Sequence, residues 1–147
     1  AFDKSFAINV KGPYFLIQAL LPIFSKKASI VLNTSINAHI GMPNSSVYSL
    51  TKGALLTLAK TLSGELIGRG IRVNAISPGP ISTPLYDKLG MSEADSKAMA
   101  SHIQSQIPAG RFGDVSEVAK TIVFFASDEA AYIVGSELII DGGMSNL

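Results

Sequence analysis

The chain has 147 residues, of which 47% are apolar and 16% charged, with a formal net charge of +1 and no cysteine. That composition lies outside the weakly apolar, highly charged regime of disordered chains. It also excludes a disulfide scaffold, a thiolate nucleophile and a cysteine-ligated metal. The near-neutral balance argues against a large nucleic-acid footprint, which needs a strongly basic face. No uninterrupted apolar run reaches the roughly 18–20 residues of a membrane span. The first residues show no secretory pattern. The expectation is one cytoplasmic domain with neither a nucleic-acid nor a membrane partner.

From Asp3 to Lys26 the apolar residues Phe6, Val10, Tyr14, Ile17, Leu21 and Phe24 recur at helical spacing. Gly12-Pro13 falls inside this stretch and predicts a bend between two joined helices. Ser29 to Ser35 reads as a strand buried on both faces, because its apolar run does not alternate. A loop over Ile36 to Ser45 leads to a long helix from Ser46 to Ile67, with Leu50, Ala54, Leu58, Leu62 and Leu66 at four-residue steps. Gly68-Arg69-Gly70 stops that helix. Ile71 to Ser77 is a second strand, ended by Pro78-Gly79-Pro80. Helices over Ser92–Ile107 and Val115–Ser127 follow, and a third strand over Ser136–Ile140 is closed by Asp141-Gly142-Gly143. Strands alternating with helices predict an α/β fold with a parallel sheet covered on both faces. A helix ahead of the first strand implies an earlier strand feeding it. The expected unit is therefore the carboxyl-terminal half of a doubly wound parallel-sheet domain.

Ser35 ends a strand, where open α/β sheets place their ligands. Thirteen residues on comes Tyr48, and four after it Lys52, both early in the long helix and on one face of it. Tyrosine ordinarily ionises near pH ~10 and needs help to act as an acid or base at neutral pH. A neighbouring ammonium favours the phenolate, and a serine hydroxyl nearby can hold a carbonyl or alcohol oxygen. The trio suits proton transfer to or from a substrate oxygen. Taken singly, Tyr48 reads as half-buried packing and Lys52 as a solvated face, so the combination carries the case. His39 and His102 lack metal-like spacing and read as surface histidines, and no metal site is expected. Lys26-Lys27 is expected at a helix end, Asp114 as a helix cap, and Glu93, Asp95 and Lys97 on a solvated face.

Ser29–Ser35, Tyr48-Ser49-Leu50-Thr51-Lys52-Gly53-Ala54, Arg72 to Thr83 and Asp141-Gly142-Gly143 together resemble the short-chain dehydrogenase/reductase family, in order and at matching spacings. The resemblance covers essentially the whole chain and leans towards the 3-oxoacyl-carrier-protein-reductase-like branch. It implies an NAD(P)-dependent oxidoreductase interconverting a carbonyl and a secondary alcohol. Tyr48 would be the acid/base, and Lys52 would lower its pKa and bind the nicotinamide ribose. Ser35 would orient the substrate oxygen, and Asn9 would complete a proton relay through a water. Pro78, Gly79, Ile81 and Thr83 would line the nicotinamide side of the cofactor. Leu85 to Arg111 would cover a small carbonyl or alcohol substrate.

The family's glycine-rich phosphate turn and the residue that selects NAD or NADP are absent from this sequence, so the choice between the two is open. Residues 1–147 are then a single partial Rossmann-type domain, with about 90–100 further residues expected upstream at some 30 per βαβ unit. The resemblance also implies a homo-oligomer, four subunits being the family's habit. A reading from another class is a truncated, catalytically inactive remnant acting only in subunit assembly through its apolar helices Asp3–Lys26 and Ser46–Ile67.

Overall fold

The structure is a computed structural model that describes residues 1–84, 90 and 92–147. Three parallel strands, β1 (Ser29–Asn33), β2 (Arg72–Pro78) and β3 (Glu137–Ile140), form one sheet in the order β1-β2-β3. β1 pairs with β2 from Ser29 opposite Arg72 to Asn33 opposite Ile76. β2 pairs with β3 from Ala75 opposite Glu137 to Pro78 opposite Ile140.

Alternate residues of the central strand serve opposite cores, so nearly all of it is buried although Arg72, Asn74 and Ser77 are polar. Val73 and Ala75 join Leu32, Leu55, Ala59 and Leu62 beneath α3 (Ser46–Leu66). Ile76 turns the other way, to Phe125 and Ala130 beneath α5 (Val115–Ala126). Asn74 shares that second face and is fully buried. Its amide donates to the Ile133 carbonyl at 2.9 Å and accepts from the Ser136 amide at 2.9 Å, which stitches the approach to β3 onto β2. Arg72 is buried at the start of β2 and donates to the Phe125 and Ser127 carbonyls at 3.0 and 2.9 Å. Its charge thus closes the carbonyl end of α5, where a cation complements the helix dipole.

The N-terminal helix differs from the bent pair that Pro13 predicts. α1 (Phe2–Phe6) runs through a π-helical turn, Ala7–Lys11, directly into α2 (Gly12–Leu20). Pro13 has no N–H and its ring crowds the carbonyl four residues back, and the wider turn absorbs both faults. Taken through to Ile23, this helical run is long and apolar enough to cross a membrane by length and composition. A search for uninterrupted apolar runs misses it because Asn9, Lys11 and Pro13 are spread along it. It packs along α3, leaving Phe2, Ile8, Phe15 and Leu16 exposed. Lys26 and Lys27 lie beyond its end rather than in its last turn, and Lys27 takes a positive φ of 69°.

The remaining helices fall within two residues of their predicted bounds. α4 (Glu93–Ser105) carries a solvent-exposed Glu93–Lys97 ion pair at 2.7 Å. α5 opens with a capping box in which Asp114 accepts from the Ser116 amide and Glu117 reaches back to the Asp114 amide. Of the expected substrate cover, residues 85–89 and 91 lie outside the described residues.

Candidate active site

The carboxyl ends of β1 and β2 open into a cleft of about 400 Å³ between α3 and α5. Asn33, Thr34 and Ser35 form its floor. Ser35 lies just past β1, nearly buried in extended backbone, and its hydroxyl caps the short turn Ile36–Ala38 by accepting from the Asn37 amide at 3.2 Å. Its own hydrogen points to Asn37 Oδ1 at 3.4 Å. That bond is long for an O–H donor, so the hydrogen can be redirected to a bound oxygen at little cost.

Tyr48 and Lys52 project from the start of α3 into the same cleft. The phenol is 42% exposed and so open to a ligand. Lys52 Nζ donates to the Asn33 carbonyl at 3.0 Å and lies 5.4 Å from the centre of the Tyr48 ring. Burial lowers the Lys52 pKa from its ordinary value, since a desolvated ammonium is disfavoured. The hydrogen bond to Asn33 fixes the ammonium beside the phenol instead of leaving it free in solvent.

Pro78, Gly79, Ile81 and Thr83 form the rim beyond β2, as the sequence places them. Gly79 is there because nothing larger fits. A Cβ on it would stand 2.6 Å from Asp141 Cβ and 2.9 Å from Asp141 Cα. Asp141 is itself held at the end of β3, accepting from the amides of Gly143 at 2.8 Å and Ser145 at 2.7 Å. Burial alone would raise its pKa, but the bonds from Ser145 and Gly143 outweigh burial and hold the carboxyl below its usual range. Past Gly79 the chain pairs Ile81 with Gly113, through bonds from the Gly113 amide to the Pro80 carbonyl and from the Ser82 amide to the Gly113 carbonyl.

Asn9 is set apart from these groups. It does not line the cleft; its amide donates to Thr51 Oγ1 at 3.1 Å, in the first turns of α3. The opposite wall went unread in the sequence: Val115, Val118, Ala119 and Ile122 of α5 give the cleft an apolar side. Their spacing was visible as a helical stripe, but nothing local said which cleft it faced. Among the described residues no cluster of His, Asp or Glu could hold a metal.

A family model described as enoyl-(acyl carrier protein) reductase matches residues 1–145. The chain belongs to the short-chain dehydrogenase/reductase family. It is 38% identical over 150 residues to a 2-keto-3-deoxy-L-fuconate dehydrogenase of Xanthomonas campestris, covering 99% of this chain and 50% of that protein. It is 39% identical over 145 residues to a 3-oxoacyl-[acyl-carrier-protein] reductase of Thermotoga maritima, covering 97% of this chain and 56% of that one. A crystal structure with bound NADP, of an Agrobacterium tumefaciens protein assigned as a 2-deoxy-D-gluconate 3-dehydrogenase, superposes with a TM-score of 0.85 at 32% identity. That match covers 97% of this chain and 58% of the other. The fold is thus part of a Rossmann-type dehydrogenase sheet, and the chain spans about half to three fifths of the length of these relatives.

Proposed function

We propose that the protein is an NAD(P)-dependent oxidoreductase interconverting a carbonyl and a secondary alcohol, with Tyr48 as acid/base. The observation that carries this reading is the Lys52 ammonium, anchored to the Asn33 carbonyl beneath the Tyr48 ring in the cleft that also holds Ser35. In the reducing direction, Ser35 and Tyr48 donate hydrogen bonds to the substrate carbonyl oxygen. Tyr48 then passes its phenolic proton to that oxygen as the carbon is reduced, and the Lys52 charge steadies the phenolate left behind. A nicotinamide dinucleotide, when bound, supplies or accepts the hydride.

The residues present fit the nicotinamide half of such a cofactor. Lys52 and Thr83 offer polar groups, and the α5 stripe offers an apolar wall. A glycine-rich phosphate turn for the other half is not in this sequence, so nothing here selects NAD over NADP. The relatives favour either a 3-oxoacyl thioester or a sugar acid as substrate.

The test is reduction of acetoacetyl-coenzyme A with NADH or NADPH, and oxidation of D-gluconate with the oxidised cofactors, by the full-length protein. Tyr48→Phe is expected to lower turnover by about 10²–10⁴-fold while leaving dinucleotide binding intact. Undiminished turnover in Tyr48→Phe sinks the acid/base role. The exposed Phe2, Ile8, Phe15, Leu16 and Leu50 also support self-association of the α1–α2 and α3 face. If the protein forms an oligomer but binds no dinucleotide at all, the reading as an assembly remnant replaces the enzyme.

A further inference from the structure

A row of polar side chains runs under α3 across all three strands, starting at Thr34 in the cleft floor. Thr34, Ser77 and Glu137 occupy neighbouring positions on the sheet face that Leu32 and Ala75 also share. Thr34 and Ser77 are buried, at 2% and 0% exposure, so their hydroxyls depend on protein partners. Thr34 Oγ1 contacts Ser77 Oγ, and Ser77 Oγ donates to Glu137 Oε1. His39 Nε2 reaches the same carboxylate oxygen at 2.6 Å from the loop that follows Ser35.

The direction of these bonds is fixed by chemistry. A carboxylate only accepts, so Ser77 spends its one hydrogen on Glu137, while Thr34 Oγ1 donates its own to the Ile76 carbonyl at 2.9 Å. His39 must likewise present a protonated Nε2. Two donors from two segments, Ser77 of β2 and His39 of the loop, therefore converge on Glu137, which lies 98 positions from His39 in sequence. The loop they secure joins Ser35 to Tyr48. Its amides at Ala38 and His39 bond back to Ser35 and Ile36, within the loop itself, and so do nothing to hold it on the sheet. Ile36 is buried and Ala38 packs on the core beneath α3, and the His39–Glu137 bond adds a polar tie to β3.

We infer that His39 and Glu137 are positioning residues: their bond fastens the Ser35–Ser46 loop to β3 and fixes Ser35 relative to Tyr48. Neither side chain lines the cleft, so both act through the residues they hold. The inference rests on the acid/base reading for its effect on turnover, but not for its effect on the loop.

Two measurements on the full-length protein separate these. Hydrogen exchange read by mass spectrometry is expected to show faster exchange over residues 36–42 in His39→Ala and in Glu137→Ala, with α3 still protected. Turnover of acetoacetyl-coenzyme A is expected to fall about tenfold in kcat in both variants, with KM for the dinucleotide unchanged, as for a site loosened by a fraction of an ångström. His39→Gln, which keeps a donor near the Nε2 position, should restore most of the rate. The double variant should lose no more than either single one. Unchanged exchange over 36–42 in His39→Ala overturns the inference whatever the kinetics, and this variant alters a partly exposed loop residue, so it tests the idea even if Glu137→Ala does not fold. Normal kcat beside faster exchange also overturns it, provided Tyr48→Phe is inactive. If Tyr48→Phe stays active, the acid/base reading fails and the exchange result alone decides.

Discussion

Asn9 is joined to Tyr48 through a single buried hydroxyl. The Asn9 amide donates to Thr51 Oγ1 at 3.1 Å, and Thr51 Oγ1 donates to the Tyr48 carbonyl at 2.7 Å. Thr51 is fully buried, so this pair of bonds is the means by which the π-helical turn grips the turn of α3 that carries the phenol. Thr51→Val keeps the shape and removes the hydroxyl. It is expected to cost about 1–2 kcal/mol in urea unfolding, because the Asn9 amide loses its acceptor. Asn9→Ala should cost a similar amount, with the double variant clearly less than additive. Full additivity would mean the two side chains do not act as a pair.

Lys52 should show opposite effects on stability and on turnover. Its pKa is lowered by burial, so folding disfavours its charge. That cost is present at neutral pH and is relieved as pH rises through the lowered value towards the ordinary 10.5. Lys52→Met is therefore expected to leave Tm equal or higher at pH ~7 while lowering turnover by roughly 10²-fold. A variant with reduced Tm would show that the bond to Asn33 outweighs burial.

Gly79→Ala tests the close approach of β2 and β3 at the cleft rim. The new methyl would meet the Asp141 backbone at 2.9 Å, and backbone cannot swing aside as a side-chain tip can. About 1–3 kcal/mol of lost stability is expected. Because the strand end must move to make room, weaker dinucleotide binding should accompany it in a fluorescence titration. A Tm within error of the parent would mean the rim is softer than its packing implies.

The acid limb of stability should depend on the α5 capping box. The Arg111 hydrogen bond, with the Asp114 amide, lowers the Glu117 pKa from 4.5 to about 2. A depressed carboxylate contributes stability above its unfolded value and loses it as pH falls through the folded one. Its share should therefore vanish between pH 4.5 and about 2. Thermal scans across that window should be flatter in Arg111→Gln and in Glu117→Gln than in the parent. Parallel curves would place the acid sensitivity elsewhere, with Asp141 the next group to replace.

Much of the site was legible because its signals are local. Ser35 at a strand end, and Tyr48 and Lys52 one helical turn apart, follow from spacing, and the structure gathers them in one cleft. Strand β1 was legible from its apolar run Ile30-Val31-Leu32, but that run does not mean burial on both faces. Only Leu32 of β1 is buried, while β2, with Arg72, Asn74 and Ser77 in it, is buried almost throughout. The bond between His39 and Glu137 leaves no such trace, since residues 98 apart share no periodicity. His39 reads as a surface histidine for that reason, yet the structure pairs it with a carboxylate. Pro13 misleads in another way. It does forbid an ordinary α-helical bond, but the neighbouring Gly12 amide bonds five residues back to Ala7 and keeps the helix continuous.

That five-residue bond makes Ala7–Lys11 a natural site for length variation. A π-helical turn holds one residue more than the α-helical turn it replaces. Deleting one residue there would let the flanks join as a plain α-helix, with both α1 and α2 left on their packing faces. The helix would survive such an event, but the Asn9 grip on Thr51 would not. Helix length between Phe6 and Gly12 and the presence of an asparagine facing α3 should therefore change together when such chains diverge.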